Sequence, residues 1–94
     1  MQNNSNLKLL SELKIGGRAL VKNVLGEGRV RRRLFDMGIT PGCEVFLRKK
    51  APLGDPLEVR LRGYELTLRK DEAALVVCDF IDIDDEGRED KWER

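Results

Sequence analysis

The segment A-P-L-G-D-P, from Ala51 to Pro56, constrains this chain more than any other. Pro52 and Pro56 fix φ at about −65° and drive Ala51 and Asp55 toward extended backbone, so no helix can run through the segment. Gly54 accepts the positive φ of a tight reversal, and Asp55 can take a hydrogen bond from a backbone N–H shortly ahead of it. On either side the pattern has period two. Cys43, Val45 and Leu47 share one face, as do Leu57, Val59 and Leu61, while Glu44, Arg48, Glu58, Arg60 and Arg62 fall on the other. Such alternation predicts two antiparallel strands joined by a stiff loop, with one face in the core and one charged and wet.

The 94 residues suffice for one domain that buries roughly 60% of its unfolded surface, too little for a cofactor fold with an enclosed cavity. The net charge of +1 hides an asymmetry: residues 1–81 carry 15 basic and 10 acidic side chains, and residues 82–94 carry 3 and 7. The expected organisation is a disordered polar lead over 1–6, a folded domain over 7–81, and an acidic tail over 82–94 that is mobile or loosely helical. The start M-Q-N-N-S-N has no apolar run behind it, and no segment approaches a membrane span, so the expected location is the cytoplasm, without membrane insertion. Cys43 and Cys78 are not in a Cys-x-x-Cys pair and read as reduced, small core residues.

In chain order, the spacing of Leu7, Leu10 and Leu13 predicts one helical turn, and Arg18 to Val24 a first strand of imperfect alternation. After the Gly26-Glu27-Gly28 loop, Val30, Leu34 and Met37 form the apolar stripe of a short helix ending at Gly38, with Arg29, Arg31, Arg32 and Arg33 on its remaining surface. Ile39 to Gly42 is a turn. Gly63 permits a reversal into a strand from Tyr64 to Leu68, Asp71 is a candidate cap for a short turn, and the apolar run from Leu75 to Ile81 reads as the last strand. Short strands, one inserted helix and Gly/Pro turns predict a mainly β fold, a small and partly open SH3-like β-barrel with a helical turn near the N-terminus.

Four ordered motifs sharpen this. R-R-L-F-D-M-G-I-T-P-G from Arg32, A-P-L-G-D-P from Ala51, R-G-Y-E-L from Arg62 and L-R-K-D-E-A from Leu68 resemble the FeoA family, over about Leu9 to Val77. The resemblance implies an SH3-like barrel with a helical insertion, a role in ferrous-iron uptake, and a partner in the cytoplasmic GTP-binding domain of a FeoB-type transporter. Residues from Asp82 onward lie outside the family pattern.

Catalysis finds no support in the residues. There is no histidine, the only serines are Ser5 and Ser11, and neither cysteine has an imidazole base, so the chain is predicted not to be an enzyme. No metal ligand is assigned: iron sites favour imidazoles, and turn formation and capping already account for Asp55, Asp71 and Glu72, which leaves at most weak Fe2+ binding. Arg31-Arg32-Arg33 is a basic patch, but the five aromatics are scattered, which disfavours nucleic acid. The remaining feature is a docking surface combining arginines with apolar groups: Arg31, Arg32, Arg33, Phe35, Phe46, Leu53 and Asp55. Two readings of the aromatics stay open at this stage. Phe46 and Phe35 are either exposed beside the arginines, or packed under the N-terminal leucine turn and the Pro52 loop. The expected function is a non-enzymatic accessory protein of ferrous-iron uptake. The alternative is a metal-responsive or nucleic-acid-contacting regulatory module of the same fold. The oligomeric state is left open.

Overall fold

The computed structural model describes residues 7–81; the expected lead over 1–6 and acidic tail over 82–94 lie outside the described residues. Six strands, β1 (Leu7–Leu9), β2 (Arg18–Val24), β3 (Glu44–Lys50), β4 (Leu57–Leu61), β5 (Tyr64–Leu68) and β6 (Val76–Ile81), form one sheet of order β1-β6-β2-β3-β4-β5. Every neighbouring pair is antiparallel. The sheet curls around a core but does not close, since β1 and β5 remain its two edges. The expected SH3-like barrel is thus an open one.

Alternation decides which side faces the core. Val45 and Leu47 of β3 and Leu57, Val59 and Leu61 of β4 are buried, as the pattern predicts. In β2 the buried residues are Ala19, Val21 and Val24, and a register shift between Val21 and Asn23 explains the change of phase. A bulge adds one residue to a strand and bends it, so the imperfect alternation in the sequence is the mark of a bend. A second shift, between Leu47 and Lys49, bends β3 at Arg48.

Three local expectations need correction. The leucines at 7, 10 and 13 do not make one helical turn: Leu7–Leu9 pairs with β6 as a strand, and only Leu10–Glu12 winds, as a 3₁₀ turn that buries Leu10 with Leu13 close behind. Arg62 is not a wet-face strand residue. With Gly63 it forms the two-residue connection between β4 and β5, both at positive φ (51° and 86°), the type I′ geometry that matches strand twist. Finally, Asp71 caps nothing; the short helix α2 (Lys70–Ala73) has Arg69 at its N-cap.

The helix inserted between β2 and β3, α1 (Gly28–Asp36), ends where Gly38 was expected to end it. Gly38 sits at φ 99°, its N–H donates to the Phe35 carbonyl at 2.9 Å, and the Ile39 N–H donates to the Leu34 carbonyl at 3.0 Å. That pair of bonds is a Schellman cap, and the two residues of its outer bond, Leu34 and Ile39, are both fully buried in the core. The predicted apolar stripe is shifted, however. Leu34 is buried and Met37 half-buried against the core, but Val30 is 43% exposed, and Phe35 takes the inner position instead.

Gly38 also lies under the hairpin. A Cβ there would stand 2.5 Å from the Tyr64 hydroxyl, whereas a Cβ on Gly54, at φ 84°, would meet nothing within 4 Å. Both positions disfavour L side chains, at about 1–3 kcal/mol. Only Gly38 adds a collision. In chemical denaturation, Gly38→Ala is therefore expected to lose clearly more stability than Gly54→Ala; equal losses would show that the Tyr64 contact yields without cost.

Candidate functional site

Among the described residues, α1 packs on the core through Leu34, Phe35 and Met37 and is tied by three polar contacts, none of which periodicity announces. At its start, Arg31 Nε donates to the Val24 carbonyl at the end of β2, at 3.0 Å. In its last turn, Arg33 pairs with Glu72 of α2 at 2.9 Å. At its end, the Tyr64 hydroxyl from the start of β5 donates to the Met37 carbonyl. Leu34 fills the core beneath.

These contacts redistribute the arginines. Arg31 is half-buried, with its guanidinium 4.6 Å from the centre of the Phe35 ring, a cation–π contact at i, i+4 spacing. Phe35 itself packs against the core. Arg33 is committed to Glu72, the one buried charged residue among those described, at 8% exposure. Glu72 also accepts the Arg69 N–H at 2.9 Å, so its carboxylate is bonded from two sides. Arg29 and Arg32 are exposed and have no ion-pair partner among the described residues.

The 51–56 loop is stiff in a way the sequence only half announces. Gly54 N–H donates to Ala51 O at 2.7 Å and Ala51 N–H donates to Pro56 O at 3.0 Å, closing the loop on itself around a cis Asp55–Pro56 peptide. Asp55 does not bond to the backbone just ahead of it. Its Oδ1 instead accepts the N–H of Lys70, 15 residues on, at 2.9 Å, and so satisfies the first free donor of α2. Leu53 is left at the loop tip, 88% exposed.

Helix α2 therefore joins what sequence reasoning had treated separately: it is tied to α1 through Arg33–Glu72 and to the loop through Asp55–Lys70. Arg32, Arg33, Leu53 and Asp55 are linked through it, with Arg31 and Phe35 turned inward beneath. Phe46 is not part of this surface. It is half-buried on the outer face of the sheet, between Arg18 of β2 and Arg60 of β4, and does not pack against the core. It lies neither beside the helix nor inside the barrel, because its neighbours in β3, Val45 and Leu47, take the inward positions.

The two cysteines are free and buried. Burial, aided by the proximity of Cys43, pushes the Cys78 thiol up to about 12, so it stays protonated and unreactive at neutral pH. Among the described residues no three His, Cys, Asp or Glu side chains are grouped as a metal centre would need. Asp55 and Glu72 spend their oxygens on Lys70, Arg69 and Arg33.

Removing Arg33 would leave the Glu72 carboxylate buried with only the Arg69 N–H. Arg33→Ala is expected to destabilise the fold by about 1–2 kcal/mol, a value at the low end for charged hydrogen bonds because the arginine is itself largely exposed. Combined with Glu72→Gln, the loss should be smaller than the sum of the single losses. Strict additivity in urea denaturation would mean that the pair does not hold α1 to α2.

Comparison with known proteins agrees with this architecture. The solution structure of an FeoA-like protein from Clostridium acetobutylicum superposes with a TM-score of 0.75 at 41% identity, covering 81% of this chain and 88% of that one. The crystal structure of Stenotrophomonas maltophilia FeoA complexed with zinc, described as a procaryotic SH3 domain protein, gives 0.67 at 36% identity, covering 76% and 88%. A relative from Porphyromonas gingivalis, an Fe(2+) transport protein A/Fe(2+) transporter FeoB fusion protein, is 36% identical over 72 residues, which are 77% of this chain and 8% of the fusion. The FeoA domain family matches residues 8–79, nearly the whole of the described fold, and the chain belongs to that family.

Proposed function

We propose that this domain is a non-enzymatic, cytoplasmic accessory of ferrous-iron uptake that docks on the GTP-binding region of a FeoB-type transporter. The docking surface is the one α2 ties together, with exposed Arg32 and Leu53 as contacts and Arg33 and Asp55 as supports. The observation that carries this reading is the fusion relative, which has the Fe(2+) transport protein A and the FeoB transporter in a single chain. In such a fusion the two parts meet at an effective concentration on the order of millimolar, so a small surface of modest affinity is enough.

The chemistry of the surface supports the same reading. Leu53 is a large apolar group on a loop that cannot collapse, so little conformational entropy is lost when it is buried by a partner. Arg32 is an exposed guanidinium with no internal partner among the described residues, available to an acidic group. Arg31 and Phe35 act beneath the surface by fixing the angle of α1. No helix among the described residues is long and apolar enough to cross a membrane.

The test is calorimetric titration of the protein with the transporter's GTP-binding domain. Leu53→Asp with Arg32→Glu should lower affinity at least tenfold, about 1.4 kcal/mol, while leaving the melting temperature nearly unchanged because Leu53 is 88% exposed and Arg32 is exposed with no ion-pair partner among the described residues. Unaltered affinity in the folded double variant would place the contact elsewhere.

A further inference from the structure

The sheet ends on one side at β5, and that edge is unguarded. The two-residue turn at Arg62 and Gly63 makes Leu61 and Tyr64 a hydrogen-bonded pair, so by alternation Leu66 and Leu68 also bond to β4, across from Val59 and Leu57. The backbone N–H and C=O groups of Glu65 and Thr67 therefore point away from β4, and among the described residues no hydrogen bond uses them. Both residues are exposed, and the strand has neither proline nor bulge. Its one charged side chain, Glu65, is turned back over the sheet to Arg48 and Arg60, at 2.8 and 3.2 Å. The opposite edge, β1, is three residues long with a lysine at its centre, a short and charged form that resists pairing.

We infer that β5 pairs with β5 of a second copy of this chain, antiparallel about a two-fold axis at Leu66, so that the two sheets become continuous. In that register Glu65 and Thr67 of each copy face Thr67 and Glu65 of the other and exchange backbone hydrogen bonds, and no like charges stand opposite. Leu66, half-buried in a single copy, meets Leu66 at the closely spaced position on the core side. Tyr64, 45% exposed, comes opposite Leu68 on the same side and gains cover. What favours a second copy over another extended segment is that the strand is its own complement.

The neighbouring registers fail for reasons built into the fold. An axis at Thr67 would bring Glu65 against Arg69, an attractive pair of side chains, but the Arg69 backbone is already spent. Its N–H donates to Glu72 Oε1 at 2.9 Å, and its carbonyl accepts the N–H groups of Glu72 and Ala73 at 2.9 and 3.0 Å. An axis at Glu65 would set two carboxylates face to face and require Gly63, at φ 86° in the turn, to serve as strand. The contact is small, so the dimer is weak, with a dissociation constant on the order of 0.1 mM. Arg32 and Leu53 lie outside β5, and the inference does not rest on the transporter reading.

Sedimentation equilibrium of the full 94-residue chain tests it, together with amide exchange followed by nuclear magnetic resonance. The mass should rise from mostly monomer to mostly dimer between about 20 μM and about 1 mM, and exchange of the Glu65 and Thr67 amides should slow about threefold over the same range. Thr67→Glu, which sets a carboxylate opposite Glu65 of the second copy, should leave a monomer throughout, and adding Glu65→Thr should bring the dimer back. Four results would overturn the inference: a monomer at the higher concentration, a dimer untouched by Thr67→Glu, failure of Glu65→Thr to restore it, or a dimer whose Glu65 and Thr67 amides exchange as fast as in the monomer.

Discussion

A six-stranded sheet that does not close on itself leaves part of its core to other elements, and in this protein a nine-residue helix packs there through Leu34, Phe35 and Met37. Helix α1 has little apolar surface for the task. One side chain, Leu34, is fully buried, Phe35 and Met37 are half-buried, and fully burying a leucine yields only about 1.5–3 kcal/mol. Orientation comes from polar contacts at its start, in its last turn and at its end. Arg31 reaches the end of β2, Arg33 the buried carboxylate of α2, and Tyr64 reaches in from the hairpin to Met37. The Schellman cap at Gly38 then turns the chain so that Ile39 enters the core.

The strands were legible because their alternation is set by the pleat, and even the flaw in β2 was visible as a phase slip before its cause was known. The same holds for the Gly38 stop and the proline loop, where backbone chemistry is local. What stayed hidden was long-range and polar. Asp55 reads as a local turn former, yet its partner is 15 residues away; Glu72 reads as part of a short capped turn, and nothing in the sequence marks it as buried under Arg33. One signal was available: Arg31 and Phe35 at i, i+4 spacing could have marked that arginine as a packing residue rather than a solvated one. Val30 fooled the periodicity because the first turn of α1 overhangs the core, and helical spacing says nothing about where a core ends.

The candidate site changed more than the fold. Sequence reasoning gathered arginines, two phenylalanines and a loop into one docking surface, and the sheet divides them. Arg32 and Leu53 stand exposed on elements that α2 ties together, Arg31, Arg33 and Phe35 hold those elements in place, and Phe46 belongs to the other side. A surface mounted on stapled elements is pre-organised, so little conformational entropy is lost when it is covered.

The account depends on α1 being an integral part of the core rather than an appended element that opens by itself. Amide hydrogen exchange under native conditions measures this directly. If the polar contacts fix the helix to the sheet, the Met37, Gly38 and Ile39 amides should be protected to nearly the same free energy as Val45 and Val59 in the central strands, and lose protection only with global unfolding. Exchange at those three positions through a local opening several kcal/mol easier than unfolding would contradict the account, because α1 would then be a mobile flap on a core that stands without it.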